Sequence, residues 1–307
     1  MANNMSNSPE LSRAHSSLSP LRIWTLAAGT VTQLVRMRIL WVLVVLCLLT
    51  VGLAFAFPVI GPELQLKNLK SWSFSAIEIF FVLFSVAATS LLLPRDVEDR
   101  TLYTILCKPV PRYEYLMGKL LGMMVIIFVG MAVMDVVVCI VVGLKQMMLF
   151  AEMKATLEAK NQATPDQLAA SWQILSGYGL TSTIHAAIWS AFLEASVVAA
   201  LTLLISCVAS STLFTILTSA AFVVGGMGEP LARDYFLVGR FGHGLESVLS
   251  FLLAMVCPDL EVFDLISPAV RGDGIPWSII FQATGMASLY LAGYTTVAYL
   301  IFAEKEL

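Results

Sequence analysis

Apolar runs long enough to cross a lipid bilayer alternate with polar connectors along most of this chain. A bilayer core about 30 Å thick needs roughly 20 predominantly apolar residues for each helical span. Six segments meet or approach that length, namely 39–57, 74–93, 120–143, 186–207, 212–227 and 278–302. The pattern predicts an all-α polytopic membrane protein built on a six-helix transmembrane bundle. Six spans would place both termini on the same side of the membrane.

A seventh apolar stretch, 245–256, makes this count uncertain by one. About a dozen apolar residues are typical of a re-entrant or interfacial helix rather than of a span. If the stretch did cross the membrane, the two termini would lie on opposite sides. Both alternatives stay open on the sequence.

The N-terminal region predicts a tail followed by an amphipathic helix. Residues 1–20 are polar and rich in serine, which is typical of a disordered segment. Residues 21–38 lack the compact apolar core of a signal peptide, and no cleavable signal is expected. Their apolar side chains recur on one helical face, which predicts an interfacial helix that leads into the first span. The alternative is a plain extension of that span.

Two segments outside the spans, 144–185 and 228–274, predict external helical structure. In the first, Thr164 as N-cap, Pro165 at the first helical position and Gln167 three residues after the cap predict a helix start. We expect this helix to run to about Leu175. With the helix-prone stretch 145–160 before it, it would form a helical hairpin beyond the bilayer.

Composition and charge place the chain in the same class. Apolar residues make up 58% of the chain and charged residues 13%, with a mean hydropathy of +0.85. A soluble domain is about 45–50% apolar and about 25% charged. With the N-terminus inside, ten cations lie on the cytoplasmic side and eight on the other, spread over longer loops. The positive-inside rule therefore predicts cytoplasmic N- and C-termini.

Motifs for catalysis and cofactor binding are not found in the sequence. There is no G-x-x-x-x-G-K-[ST] phosphate loop, so we do not expect this chain to hydrolyse ATP. Five cysteines occur singly, and most fall in predicted spans as small apolar residues. Three histidines are too widely separated to suggest a metal site. We predict a chain with no catalytic, cofactor or metal residues and no nucleic-acid partner.

Three acids inside predicted spans have two interpretations: Glu78, Asp135 and Glu194. A carboxylate in hydrocarbon is costly, so such residues usually face the bundle interior, a cavity or a partner. They could line a polar substrate path or a proton relay. Alternatively, they are protonated or hydrogen-bonded groups that fasten helices together.

The connector between the second and third predicted spans is the densest polar part of the chain. Residues 93–121 read LPRDVEDRTLYTILCKPVPRYEYLMGKLL and hold five cations and four acids. Its alternatives are a solvated positive-inside loop with no partner, or a surface that a cytoplasmic protein binds. We refer to residues 94–119 as the connector.

Within the connector the sequence resembles the pattern E-x-x-T-L-x-x-x-L-x-K-P-V-x-R-x-E-x-x-x-G-K. The matching residues are Glu98, Thr101, Leu102, Leu106, Pro109, Arg112 and Lys119. That pattern follows the second span in ABC-2-type transporter permeases, a group that includes gliding-motility, copper-enzyme-maturation and sodium- or drug-extrusion permeases. Many relatives have glycine before the threonine, where this chain has Arg100.

The resemblance implies a transmembrane permease subunit of an ABC exporter in the bacterial inner membrane. Such permeases form dimers, here homo- or heterodimers, and each subunit docks on a separate cytoplasmic ATP-binding subunit that holds ATP and Mg²⁺. The connector would act as the ATPase-coupling segment, with its leucines as apolar contacts and its prolines ending a short helix. Residues 21–307 would then form one transmembrane domain surrounded by membrane lipids. The cargo is not implied.

Two other functions compete with this one. An ion-gradient-driven secondary transporter would use Glu78, Asp135 and Glu194 as coupling acids, although no inverted repeat is apparent. A membrane scaffold or membrane-embedded enzyme is disfavoured because no catalytic cluster is found.

Overall fold

The computed structural model describes residues 19–56, 61–98, 111–160, 164–209, 211–237 and 257–304. Within these ranges the regular secondary structure is helical. The α-helices, in chain order, are α1 Pro20–Val35, α2 Arg38–Ala56, α3 Pro62–Glu98, α4 Arg112–Ala159, α5 Pro165–Tyr178, α6 Thr183–Val208, α7 Thr212–Leu237, α8 Ile266–Arg271 and α9 Trp277–Glu304. A 3-10 turn, Glu261–Phe263, precedes α8.

The long apolar helices establish a multi-pass α-helical membrane protein. Four helical segments are long and apolar enough to span a bilayer, and they are Pro62–Leu92, Arg112–Ala159, Pro165–Val208 and Trp277–Glu304. The pair α1 and α2, bent by 63°, makes a fifth if it is counted as one span. In α7 the apolar part is shorter, Thr212–Gly228. Large apolar side chains such as Trp41, Phe128 and Leu289 are exposed on the outer surface, as expected for contact with lipid.

The bundle is built around α6. Every residue from 190 to 203 in this helix is buried or nearly so, and its sequence is rich in alanine, serine and valine. A helix that is apolar on all sides is buried by its neighbours, and small side chains allow those neighbours to approach closely. Helices α3, α4, α7 and α9 pack around it. The core therefore lies along the axis of the bundle.

Helix α4 is much longer than the predicted span. It runs without a break for 48 residues to Ala159, so the stretch 145–160, predicted to be helix-prone, belongs to the same helix as the span before it. At 1.5 Å per residue it is about 72 Å long, more than twice the thickness of a bilayer core. Its last turns pack against α5 through an edge-to-face contact of Phe150 and Trp172, whose ring centroids are 5.1 Å apart. The predicted helical hairpin is thus present, with the end of α4 as its first arm.

The predicted start of α5 is confirmed. Thr164 is its N-cap, Pro165 is its first residue, and the Gln167 amide N–H donates to the Thr164 hydroxyl. The helix continues to Tyr178, three residues further than expected. At the N-terminus, α1 occupies most of the predicted amphipathic segment 21–38. The apolar stretch 245–256 lies outside the described residues, so its alternatives stay open.

Helix α1 packs on α4 at a pair of glycines. Gly118 and Gly122 lie one turn apart and form the G-x-x-x-G spacing that lets helices approach closely. A methyl group at Gly122 would lie 2.7 Å from the Ala27 carbonyl oxygen and 2.6 Å from Thr30 Cβ, both on α1. The two backbones therefore touch where only glycine fits. We call this end of the bundle the α1 end and the opposite end the α8 end.

Candidate functional site

An acidic cavity lies at the α8 end of the bundle. Its volume is about 540 Å³, and α3, α6, α7 and the segment 260–271 line it. Glu78 comes from α3, where Ser71 and Ser75 continue the same helical face toward the cavity. Glu194 comes from the middle of α6. Glu261 and Asp264 complete a set of four carboxyl groups around one space.

The Glu194 carboxyl is the most buried of the four. Its residue is 3% exposed, and it shares the cavity with Glu78 and Asp264. Glu78, which is half-buried, faces the same cavity from α3. Among the described cations, Arg271 also lines the cavity, and its Nε pairs with Asp273 Oδ2 at 3.0 Å.

The segment that covers the cavity is held by a buried lysine. Lys70 of α3 is fully buried, and its Nζ donates to the Gly179 carbonyl at 3.3 Å and to the Ala269 carbonyl at 3.4 Å. These carbonyls lie at or near the C-terminal ends of α5 and α8, where a cation is favoured by the helix dipole. Gly272 ends α8 with a φ of +81°. One ammonium group therefore fixes the ends of α5 and α8 to α3.

Local hydrogen bonds shape the same segment. The Asp264 Oδ1 accepts from the Ile266 amide at 3.1 Å and from the Ser267 amide at 3.3 Å, which caps the start of α8. The Asp259 amide donates to the Tyr290 hydroxyl of α9 at 3.2 Å. Asp264 thus has a structural role besides lining the cavity.

A second polar cluster lies away from the acidic cavity. The Asp135 carboxylate is 2.7 Å from His185 Nδ1, and Cys139 Sγ is 3.9 Å from its other oxygen. The three side chains can offer ligand atoms within 4.8 Å of one another, a donor set that suits a borderline metal ion such as Zn²⁺. His185 is exposed and Asp135 is half-buried, so an ordinary hydrogen bond between the two side chains accounts for the same geometry.

The foot of the connector lies at the α1 end. Arg112, the first residue of α4, donates from Nη1 to the Phe302 and Ala303 carbonyls, each at 2.8 Å, near the last residue of α9. Lys119 Nζ donates to Gln33 Oε1 of α1 at 3.1 Å. These contacts join the start of α4 to both terminal helices of the bundle.

A buried acid strengthens the same junction. Glu114 is fully buried, and its Oε2 lies 3.1 Å from Arg22 Nε. Its Oε1 accepts from Arg22 Nη2 at 3.3 Å and from the Ser19 amide at 2.9 Å, just before α1 begins. An amide at a helix N-terminus needs such an acceptor. The glutamate therefore fixes the start of α1 on the start of α4.

The structure places the predicted site residues in three groups. Glu78 and Glu194 come together in the cavity, whereas Asp135 lies apart from them with His185. Arg112 and Lys119 anchor the foot of the connector. Four further predicted residues lie outside the described part of the chain, namely Thr101, Leu102, Leu106 and Pro109. Glu98 ends α3, and its side chain is not described.

Several important residues were not found from the sequence. Glu114 stands within the connector pattern but had no assigned role, and the G-x-x-x-G spacing that starts at Gly118 could have predicted the close contact with α1. Asp135 and Cys139 are four residues apart, which places them on one helical face. Nothing in the sequence indicated that Glu261 would reach a cavity inside the bundle.

Comparison with protein-family models gave no match, and comparison with curated proteins gave none either. The fold and its apolar surface therefore define the class on physical grounds: a multi-pass helical membrane protein with an acidic cavity at one end and a charge-anchored junction at the other.

Proposed function

We propose that this chain is the transmembrane permease subunit of an ABC-2-type exporter, driven by ATP hydrolysis on a separate cytoplasmic subunit. The observation that carries the proposal is the connector. Its pattern from Glu98 to Lys119 resembles the coupling element of such permeases, and its foot is anchored to helices at both ends of the chain. The finer topology belongs to the same proposal: six spans, cytoplasmic termini, an inner membrane location and a permease dimer.

The geometry at the foot supports a mechanical role. A force applied to residues 99–110 would reach Arg112, which holds the end of α9, and Glu114, which holds the start of α1. These contacts join the start of α4 to α1 and to the end of α9. Rigid-body motion of packed helices is a common way to switch a membrane protein. ATP and Mg²⁺ would bind on the partner ATPase.

The experiment is purification of the tagged chain from its own membrane, followed by measurement of vanadate-sensitive ATP hydrolysis. We expect an ATPase to co-purify with the wild-type chain. Leu102→Asp and Leu106→Asp should remove at least 90% of the associated ATPase activity, because each puts a charge on an apolar contact of the connector. Glu152→Gln, a neutral change on the exposed far end of α4, serves as the control and should retain that activity.

The proposal fails if the chain purifies without ATPase activity, or if both aspartate variants keep their full activity. Thermal unfolding of each variant separates a lost contact from a lost fold. A variant that unfolds as the wild type does and lacks the ATPase supports the coupling role.

A second function is favoured by one observation, the carboxyl pair of Glu78 and Glu194 in the cavity. Acids that face a cavity between helices are suited to bind a proton or another cation in ion-gradient-driven transport. Transport into vesicles that stops with a protonophore and continues without ATP would favour this alternative. Transport that stops with vanadate and is insensitive to the protonophore would favour the exporter.

A further inference from the structure

The acidic cavity has the dimensions of a small-molecule site. Pockets for small ligands range from about 300 to 1,000 Å³, and this one measures about 540 Å³. Its walls differ in character. Serine and glutamate side chains of α3 and α6 form one part. The part formed by α7 and the covering segment is mixed, with the apolar side chains Met227, Leu260, Ile266 and Val270 beside the polar side chains Glu261, Asp264, Ser267 and Arg271.

The charge of the cavity is not compensated by the described part of the chain. Glu194 is only 3% exposed. Among the described residues, no cation pairs with Glu194 or with Glu78. The single basic residue among the lining side chains, Arg271, is paired with Asp273. A buried carboxylate is costly unless it is protonated or meets a cation. Glu194 therefore faces a space that a positively charged group would complete.

Size decides between an inorganic and an organic cation. A bare Ca²⁺ ion is held by six to eight oxygens at about 2.3–2.6 Å, which requires a close cage. The cavity is far larger than such a cage, and part of its lining is apolar and offers no ligand atoms. An amine on an apolar body fits both features, because its charge meets the carboxyl groups and its body meets the apolar side chains of the lining.

We propose that this cavity binds an organic ammonium ion, with Glu194 and Glu78 as the acceptors of the ammonium group. The apolar side chains around Met227 and Val270 contact the body of the ligand. The binding site stands on the cavity alone. That its ligand is cargo rests on the proposed exporter function, and it would then be taken up at the α8 end.

The test is equilibrium binding to the full-length chain in lipid nanodiscs at pH 7, measured by calorimetry. The probes are tryptamine, which is a cation, and tryptophol, in which a neutral hydroxyl replaces the ammonium group. We expect tryptamine to bind at least tenfold more tightly than tryptophol. Glu194→Gln should weaken tryptamine binding at least tenfold and leave tryptophol unchanged. Glu152→Gln, an exposed acid outside the cavity, should change neither.

Three outcomes would overturn the proposal: equal affinity for the two probes, no tryptamine binding up to millimolar concentration, or unchanged tryptamine binding in Glu194→Gln. The proposal would also be wrong if millimolar Na⁺ displaced tryptamine and radioactive Na⁺ bound at the same site, because the cavity would then be a site for an inorganic cation. If Glu194→Gln does not fold, Glu78→Gln at the half-buried partner gives the same test. ATPase coupling is measured separately, so its failure leaves the binding result intact.

Discussion

Substitution of Gly122 by alanine tests how closely α1 packs on α4. The new methyl group would lie 2.7 Å from the Ala27 carbonyl oxygen and 2.6 Å from Thr30 Cβ. Backbone atoms cannot rotate out of the way, so α1 must shift away from α4. Overpacking of this kind typically costs about 1–3 kcal/mol.

Gly29 of α1 supplies the matched control. A methyl group there would meet no atom within 4 Å. Both positions are inside helices, so Gly29→Ala and Gly122→Ala gain the same helix propensity, about 1 kcal/mol. The difference between the two variants is therefore the packing cost alone, about 1–3 kcal/mol.

The assay is thermal unfolding of the purified chain in detergent, followed by tryptophan fluorescence. We expect Gly29→Ala to raise Tm slightly. The Tm of Gly122→Ala should lie at least about 2 °C below the Tm of Gly29→Ala, since each kcal/mol shifts Tm by about 2–4 °C in proteins of 150–250 residues. Iodide quenching of Trp24, on the exposed side of α1, reports whether the helix moves. Equal Tm values for the two variants would refute the close contact.

Three further predictions concern the two ends of the bundle, each measured against the wild-type chain. Glu114→Gln removes the ion pair with α1 and should lower the unfolding free energy by about 1.5–3 kcal/mol; an unchanged Tm would contradict a role as anchor. Lys70→Met removes two charge-assisted hydrogen bonds to carbonyls and should lower the unfolding free energy by a similar amount. Lys154→Met, in an exposed ion pair, should lower it by less than about 1 kcal/mol. Equal losses of unfolding free energy would contradict the role of Lys70 in holding α5 and α8 on α3. Thr164→Ala should speed amide exchange at Gln167, because the cap that accepts from that amide is lost; unchanged exchange would show that the cap is unimportant.

Long-range pairing limits what the sequence could predict. The spans followed from apolar runs, and the start of α5 followed from Thr164 and Pro165, because both signals are local. The continuity of α4 beyond residue 143 was missed, since polar residues enter without a helix breaker and hydropathy alone ends the span there.

The site was predicted only in part for the same reason. The sequence marked Glu78 and Glu194 as intramembrane acids that need a polar environment. It did not show that two helices more than a hundred residues apart bring them to one cavity. Asp135 carried the same signal and proved to face His185 instead. The cost of burying a charged side chain can be predicted from the segment that contains it. Which side chains lie close together depends on how the helices pack.

The unbroken length of α4 gives the molecule a lever. One helix, about 72 Å long at 1.5 Å per residue, joins the connector foot at Arg112 to the hairpin with α5. A tilt of only about 5° around its midpoint would displace each end by about 3 Å in opposite directions, by the same rise per residue. A small movement of one end of α4 would therefore displace its other end, on the opposite face of the membrane, without any local refolding. The fulcrum would lie in the middle of α4, where Gly130 lets it approach α3 closely.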